Sequence, residues 1–334
     1  MARTYDGATN GNRLHNQEVH TINISTACRD TGTVTNETIA EAIAYLHRDG
    51  ILILENAIDP SHLDDLEAML GPEAQLIAED PDHHFNFGKE TRNMDQAPPL
   101  IPELMYKDIW ANPVGVAVMT AVFGSCVCHY ANRMHHKGNT ALKATGRQPV
   151  HSDIEQLHPL FPFAYAFNIP LCDTSLENGS TEVWVGSHRD SNIDQHCADT
   201  GGETGLTIRP ELLAERRRHS PPIQPTTKKG SLIIRDIRLS QLDKALPSVK
   251  AIADFGSIVL RYQPRWFEAP SKVTLPLKAK PLVEQWQAET GVEYNAHWVD
   301  GDVDHKKINS GEVDFSTRNK RLLELEDLMH LPVH

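Results

Sequence analysis

The sequence is poor in several features that would place a protein in a special class. No apolar run among its 334 residues approaches the roughly 20 residues of a membrane span, and the polar N-terminus lacks the apolar stretch of a secretory signal. The five cysteines are odd in number and scattered, which favours reduced thiols over a disulfide framework. A formal net charge of −13 excludes a general nucleic-acid-binding role, because phosphate binding needs a basic surface. These absences predict a soluble, cytoplasmic protein without a membrane span or a nucleic-acid partner.

The remaining composition is that of an ordinary globular protein with an ample core, at 40% hydrophobic and 23% charged residues. Capping signals and helical spacing predict helices over 36–50 and 60–71, with a short buried strand, Ile51–Leu54, between them. In the second half, large side chains alternate with small ones from Phe163 to Ile169, and Ser257–Leu260 is a short apolar run. The pattern predicts a mainly β protein with flanking helices, arranged as a sandwich or jelly roll.

The domain organisation follows from where the polar stretches fall. Residues 1–33 are interpreted as a loose N-terminal arm, and residues 34–334 as a single domain. Within that domain, the polar region at about 190–225 is predicted to be an insertion between core strands, and its run Arg216–Arg218 to be solvated surface. A C-terminal helical extension ends in an amphipathic helix around 322–329, which is expected to cover the core or to meet another subunit.

One short motif stands out among the residues that carry chemistry. On an extended strand, a histidine and an aspartate two residues apart point to the same side of the backbone, so they can share a metal ion. With a second histidine they form the facial triad of non-heme Fe(II) oxygenases. Two of the four His-x-Asp triplets lie in predicted helices, where residues two apart diverge by about 200°. The four triplets begin at His47, His62, His151 and His188. Only the triplet of His151 and Asp153 precedes a strand-like run, so we take this pair as the candidate metal ligands.

Three stretches together point to a known family. Gln148–Asp153 supplies the pair, Asn178–His188 supplies a turn with a hydroxyl followed by a small-residue loop, and Lys229–Leu239 is a buried strand that ends in alternating charges. In this order and spacing the chain resembles the phytanoyl-CoA dioxygenase family of Fe(II)/2-oxoglutarate oxygenases. It is most similar to the fungal members that oxidise terpenoid and meroterpenoid intermediates, and the resemblance covers most of the chain from about Asn36.

The resemblance implies a fold and a set of ligands. The fold is a double-stranded β-helix, a cupin-like jelly roll, that holds Fe(II) between the His-x-Asp pair and a distal histidine. An arginine on a late strand anchors 2-oxoglutarate. His151 and Asp153 match the first two metal ligands, and Gln148 and Thr181 match positions that assist 2-oxoglutarate binding.

Two positions depart from that pattern. Gln241, at 241 − 151 = 90 residues beyond His151, stands where the resemblance requires the distal histidine, and an amide oxygen is a poorer Fe(II) ligand than an imidazole nitrogen. Phe255 stands where the arginine is required, and it cannot form a bidentate pair with a carboxylate. The joining segment, 243–253, also departs from the family. Binding of Fe(II) and 2-oxoglutarate is therefore expected to be weak or absent, and no catalytic residue is predicted.

Three hypotheses for the function follow. In the first, the chain is a catalytically impaired dioxygenase-fold subunit that pairs with a paralogous active oxygenase, or otherwise with itself, around a hydrophobic small-molecule substrate. In the second, it is an active dioxygenase in which other residues replace the distal histidine and the 2-oxoglutarate arginine. The candidates are His188, His196 and His219 for the metal ligand, and Lys244, Lys250 and Arg261 for the positive charge. In the third, it is a metal-free binding protein or isomerase, in which His151 and Asp153 act as acid and base or as a buried pair.

Overall fold

The computed structural model describes most of the chain between Glu18 and Lys307. The described residues are 18–83, 85–123, 130–132, 137–141, 147–154, 158, 160–198, 204–242, 255–264 and 273–307. Several features discussed above lie outside them: residues 243–253 with Lys244 and Lys250, and the predicted helix around 322–329.

Within these residues the helices lie mainly in the first third and near the end of the chain. They are α1 (Thr26–Thr31), α2 (Asn36–Asp49), α3 (Pro60–Glu79), α4 (Lys107–Trp110), α5 (Pro113–Phe123), α6 (Pro210–His219) and α7 (Lys280–Thr290). None of them combines the length and the apolar composition that a bilayer crossing requires.

The strands are mostly short. They are β1 (Thr21–Asn23), β2 (Ile51–Glu55), β3 (Asn93–Gln96), β4 (Tyr130–Asn132), β5 (Lys137–Ala141), β6 (Tyr165–Pro170), β7 (Glu182–Val183), β8 (His196–Ala198), β9 (Thr204–Ile208), β10 (Leu232–Asp236), β11 (Gln241–Leu242), β12 (Phe255–Tyr262), β13 (Val273–Pro276), β14 (Val292–Tyr294) and β15 (Ala296–Val299). Seven of them form the main sheet, in the order β1-β2-β10-β6-β12-β5-β3.

Local signals explain where the first helices begin and end. The Thr35 side chain accepts a hydrogen bond from the backbone of Thr38 and caps the start of α2, and Gly50 caps its end in the left-handed conformation. The predicted end of the next helix at Gly71 is wrong, because α3 continues through Pro72 to Glu79. Ala74 and Ile77 extend its buried stripe beyond the proline, and this burial outweighs the lost backbone hydrogen bond.

The main sheet separates two apolar layers. On one face, alternate residues such as Phe167, Ile234 and Leu260 pack with the helices in the largest core cluster. On the other face, Ile53 belongs to a cluster with Val183 of β7 and other residues of a second, short-stranded layer. The architecture is therefore helices, main sheet and second layer, in that order. We call the face of the main sheet that meets the second layer the inner face.

The second layer is built from short antiparallel pairings. β7 pairs with β11, and the extended segment around His151 bridges Gln241 on one side and Thr207 of β9 on the other. Mixed sheets flanked by helices agree with the predicted mainly β class. The described residues do not close these sheets into a barrel, so the double-stranded β-helix stays a prediction.

Three segments expected to be peripheral contain regular structure. In the predicted arm, β1 pairs in parallel with β2, and Val19, Ile22 and Ile24 are buried. The region at 190–225 contains β8, β9 and α6. The C-terminal extension adds α7, whose Val283 and Trp286 enter the largest core cluster.

Two helix-ending glycines with similar backbone angles give a matched test of packing. Gly50 has φ 76° and Gly291 has φ 74°. A Cβ at Gly50 would lie 2.4 Å from Nδ1 of His188, whereas nothing lies within 4 Å of a Cβ at Gly291. Gly291→Ala should lower the unfolding free energy by about 1 kcal/mol, because alanine is strained in the left-handed conformation. Gly50→Ala should lower it by about 1–3 kcal/mol more, because the new methyl group also clashes with His188. Urea unfolding measures both, and equal losses would contradict this packing.

The buried His188 should make stability depend on pH. Burial lowers the pKa of this imidazole, Asp236 opposes the shift, and Arg238 and Arg189 add to it. The unfolded chain, with a histidine pKa of about 6.5, therefore takes up a proton before the folded chain does. Stability should be full above about pH 6.5 and fall as the pH drops through the folded pKa. From about pH 8 to pH 5, the unfolding free energy of His188→Gln should fall less steeply than that of the wild type. His297 is exposed, so the unfolding free energy of His297→Gln should fall as steeply as that of the wild type. Equal slopes in all three proteins would refute this.

Candidate functional site

The candidate site lies where the second layer meets the inner face. The backbone N–H of His151 donates to the carbonyl of Gln241 at 2.8 Å, and the N–H of Gln241 donates to the carbonyl of His151 at 2.7 Å. Such a doubly bonded antiparallel pair places the two side chains on the same face. The fold thus brings together two residues that are 90 positions apart in the sequence.

The side-chain amide of Gln241 lies between the two predicted metal ligands. Its Nε2 donates to Oδ1 of Asp153 at 2.9 Å and lies 3.4 Å from Nε2 of His151. The other ring nitrogen of His151 lies 3.0 Å from the carbonyl of Pro149, which can only accept a hydrogen bond. The imidazole proton is therefore on Nδ1, and the lone pair on Nε2 faces the amide. One –NH₂ group serves both side chains.

Arg235 of β10 holds the second oxygen of the same carboxylate. Its Nη2 donates to Oδ2 of Asp153 at 2.6 Å. Burial alone raises the pKa of Asp153, but the charge of Arg235, the nearby imidazole of His151 and the hydrogen bonds from Arg235 and Gln241 outweigh it. The pKa of Asp153 therefore lies below its ordinary value, and the group is an ionised carboxylate whose charge is neutralised within the protein.

These residues do not fit the ligand set of an Fe(II) facial triad. Nε2 of His151 and Oδ1 of Asp153 are 3.8 Å apart, but the third group is an amide that presents hydrogens to both. Turning the amide over would place its oxygen against the Asp153 carboxylate. Among the residues that the structure describes, no three His, Cys, Asp or Glu side chains are placed to hold a metal ion. A cation would also have to compete with Arg235 for Asp153.

An aromatic ring covers the site from a loop. The ring centroids of Phe87 and His151 are 4.7 Å apart, with an interplanar angle of 44°. Phe87 has φ 59°, a left-handed conformation that is uncommon for a non-glycine residue, and Gly88 follows it. Nothing in the sequence marked Phe87 as a residue of the site. Only the structure shows the positive φ of Phe87.

The remaining predicted residues lie at different distances from this centre. Gln148 is buried just ahead of His151. Thr181 directly precedes β7, which pairs with Gln241 through Val183. Phe255 is the first residue of β12 and pairs with Ala141 of β5. The roles of Gln148 and Thr181 in 2-oxoglutarate binding stay predictions.

The replacement histidines are engaged or directed elsewhere. Nε2 of His188 lies 3.2 Å from the carbonyl of His47. His196 contacts the hydroxyl of Ser152 at 3.3 Å, and Ser152 alternates with His151 and so points to the opposite face of its strand. His219 is the exposed last residue of α6. In contrast, Arg261 of β12 pairs with Ala166, which also pairs with Arg235.

Comparison with known proteins identifies the class of this fold. The family model described as phytanoyl-CoA dioxygenase (PhyH) matches residues 46–240, which is more than half of the chain. The chain therefore belongs to the phytanoyl-CoA dioxygenase family, whose fold is a cupin-type jelly roll and whose members depend on Fe(II) and 2-oxoglutarate. A similar solved structure is that of the non-heme alpha ketoglutarate dependent epimerase SnoN from nogalamycin biosynthesis. It is 15% identical, with a TM-score of 0.46 over 69% of this chain and 84% of that chain.

Replacing the central amide by an imidazole tests the metal site. Gln241→His should supply the missing ligand and raise the affinity for Fe(II) or Mn(II) by at least about tenfold. Anaerobic titration calorimetry of both proteins measures this affinity. The matched control is the double variant His151→Ala/Gln241→His, which has the new imidazole but lacks that of His151. Its metal affinity should return to that of the wild type. Wild-type protein that binds one equivalent of Fe(II) as tightly as Gln241→His would contradict this account of the site.

Proposed function

We propose that this chain is a dioxygenase-fold subunit of fungal terpenoid or meroterpenoid biosynthesis that performs no oxygenation itself. It acts as the heterodimer partner of a paralogous, active Fe(II)/2-oxoglutarate oxygenase. The observation that carries the proposal is the Gln241 amide, which donates to Asp153 and faces the lone pair of His151.

The electrostatics of the pair support the loss of metal binding. A carboxylate and a neutral imidazole at a metal centre normally depend on the cation for charge balance. Here both carboxylate oxygens already accept charge-assisted or amide hydrogen bonds, from Arg235 at 2.6 Å and Gln241 at 2.9 Å. The folded chain therefore has no electrostatic need for a cation at this place. The phenylalanine at 255, in the position of the 2-oxoglutarate arginine, supports the same conclusion.

A subunit that keeps the fold but not the chemistry can still contribute a surface. Leu160 and Phe161 are adjacent, and their exposed fractions are 72% and 45%. Nη1 of Arg238 donates to the carbonyl of Leu160 at 2.6 Å, and the same guanidinium pairs with the buried Asp236. An exposed apolar pair on a backbone that is tied to the core is suited to a protein interface, since little ordering is needed on binding. We assign this pair to the contact with the paralogue, whose pocket for the hydrophobic substrate the chain would help to shape.

Co-expression with the paralogous oxygenase of the same pathway tests the proposal. The two chains should co-purify as a stable one-to-one complex, and the paralogue should gain or increase its substrate oxidation. Leu160→Asp/Phe161→Asp should weaken the complex, because burying the carboxylates costs free energy at the interface. Leu76→Asp is the control, because Leu76 is 69% exposed but lies on α3. Failure of the chains to associate, or succinate formation by this chain alone that His151→Ala abolishes, would contradict the proposal.

A further inference from the structure

The inner face of the main sheet carries two arginines in one row. Ala166 of β6 pairs with Arg235 of β10 on one side and with Arg261 of β12 on the other. We call Arg235, Ala166 and Arg261 the arginine row. Paired residues in antiparallel strands point to the same face, and neighbouring strands are about 4.8 Å apart. The two arginine Cα atoms are therefore about 10 Å apart, and Ala166, whose side chain is a methyl group, stands between them in the row.

The alternation of each strand confirms the direction of these side chains. Ile234 of β10 and Leu260 and Tyr262 of β12 belong to the helix-side core. Arg235 and Arg261 alternate with them and so point to the inner face, where Arg235 reaches Asp153. The arginine row thus borders the space between the main sheet and the second layer.

One donor of this row is unsatisfied. The Arg235 side chain is 4% exposed, and its Nη2 binds Asp153. Its Nη1 is also buried but has no hydrogen-bond partner among the described residues. A buried donor without a partner costs about 1–3 kcal/mol, so such a group indicates a missing acceptor.

An unsatisfied acceptor lies in the next row of the same face. Asn168 follows Ala166 by two residues and pairs with Ile233 and Val259. Its Oδ1 is buried and has no hydrogen-bond partner within the described part of the chain. Residues two apart on a strand are separated by about 6.6 Å. The donor and the acceptor are therefore within the span of one small molecule.

We infer that this space binds a small hydroxycarboxylate, and that it does so without a metal ion. The carboxylate accepts from Nη1 of Arg235 and from the guanidinium of Arg261, whose five N–H donors allow it to bind a carboxylate beside any other partner. The hydroxyl group donates to Oδ1 of Asn168. The apolar neighbours Ile233 and Val259 flank the carbon skeleton.

This site differs from the position that the family resemblance implies for 2-oxoglutarate. That position is Phe255, at the opposite end of β12 and six residues from Arg261, or about 20 Å along the strand. The inference does not rest on the proposed partner function, because it concerns only groups within this chain. It adds a ligand to a subunit that the proposal treats as free of metal.

Titration calorimetry in the presence of a chelator tests the inference with malate, and with succinate as the analogue that lacks the hydroxyl group. Malate should bind about 3- to 10-fold more tightly than succinate. Asn168→Leu should weaken malate binding to the level of succinate and leave succinate unchanged. Arg261→Gln should weaken both by about tenfold or more, and Arg261→Lys by less, because the charge remains but the planar fork is lost. The exposed Arg217→Gln, on α6, is the control and should bind both as the wild type does.

The outcomes separate this inference from the proposed function. No binding of either acid at about 10 mM would overturn the inference and would mean that buried water satisfies Arg235 and Asn168. Binding that requires added Mn(II) would overturn both the inference and the metal-free account of the subunit. The chain could instead bind malate in the presence of chelator and fail to associate with the paralogue. That result would support the inference and overturn only the proposed function.

Discussion

The structure of the site depends on one interaction, the hydrogen bond from the Gln241 amide to the Asp153 carboxylate. With Arg235 on the other carboxylate oxygen, it joins a pair of potential metal ligands into one hydrogen-bonded network. Buried polar groups are stable only when they have partners, and here both oxygens of the Asp153 carboxylate have partners from the protein. Under the proposed function, an amide in place of the family's imidazole removes a ligand and also supplies the hydrogens that make the cation unnecessary.

That network joins the two layers of the fold. His151 and Gln241 belong to the second layer, whereas Arg235 belongs to the main sheet, whose other face packs on the helices. The site thus helps to hold the second layer against the inner face. Under the proposed function, this gives a physical reason for the chain to keep His151 and Asp153 without iron chemistry, since the pair still contributes to the contact between the layers.

The sequence predicted the local parts of this arrangement better than the long-range parts. The His-x-Asp pair was identified because its residues lie on one side of an extended segment, and Gly50 because a helix must end there. The helix end at Gly71 was wrong, since burial of Ala74 and Ile77 outweighs a local breaker. The contact of Arg235 with Asp153, across 82 positions, and the ring of Phe87 over His151 depend on strand register and loop conformation, which no local pattern encodes. The family resemblance located Gln241 but did not show that its amide occupies the site.

The central claim is that an amide nitrogen fills the place of the metal ion. Its most direct test is a high-resolution crystal structure of the wild-type chain, grown anaerobically with excess Mn(II) and measured at the manganese absorption edge. The account predicts no anomalous density between His151 and Asp153, with the Gln241 nitrogen within hydrogen-bond distance of both. An anomalous peak bound by Nε2 of His151, a carboxylate oxygen of Asp153 and the Gln241 amide oxygen would contradict it.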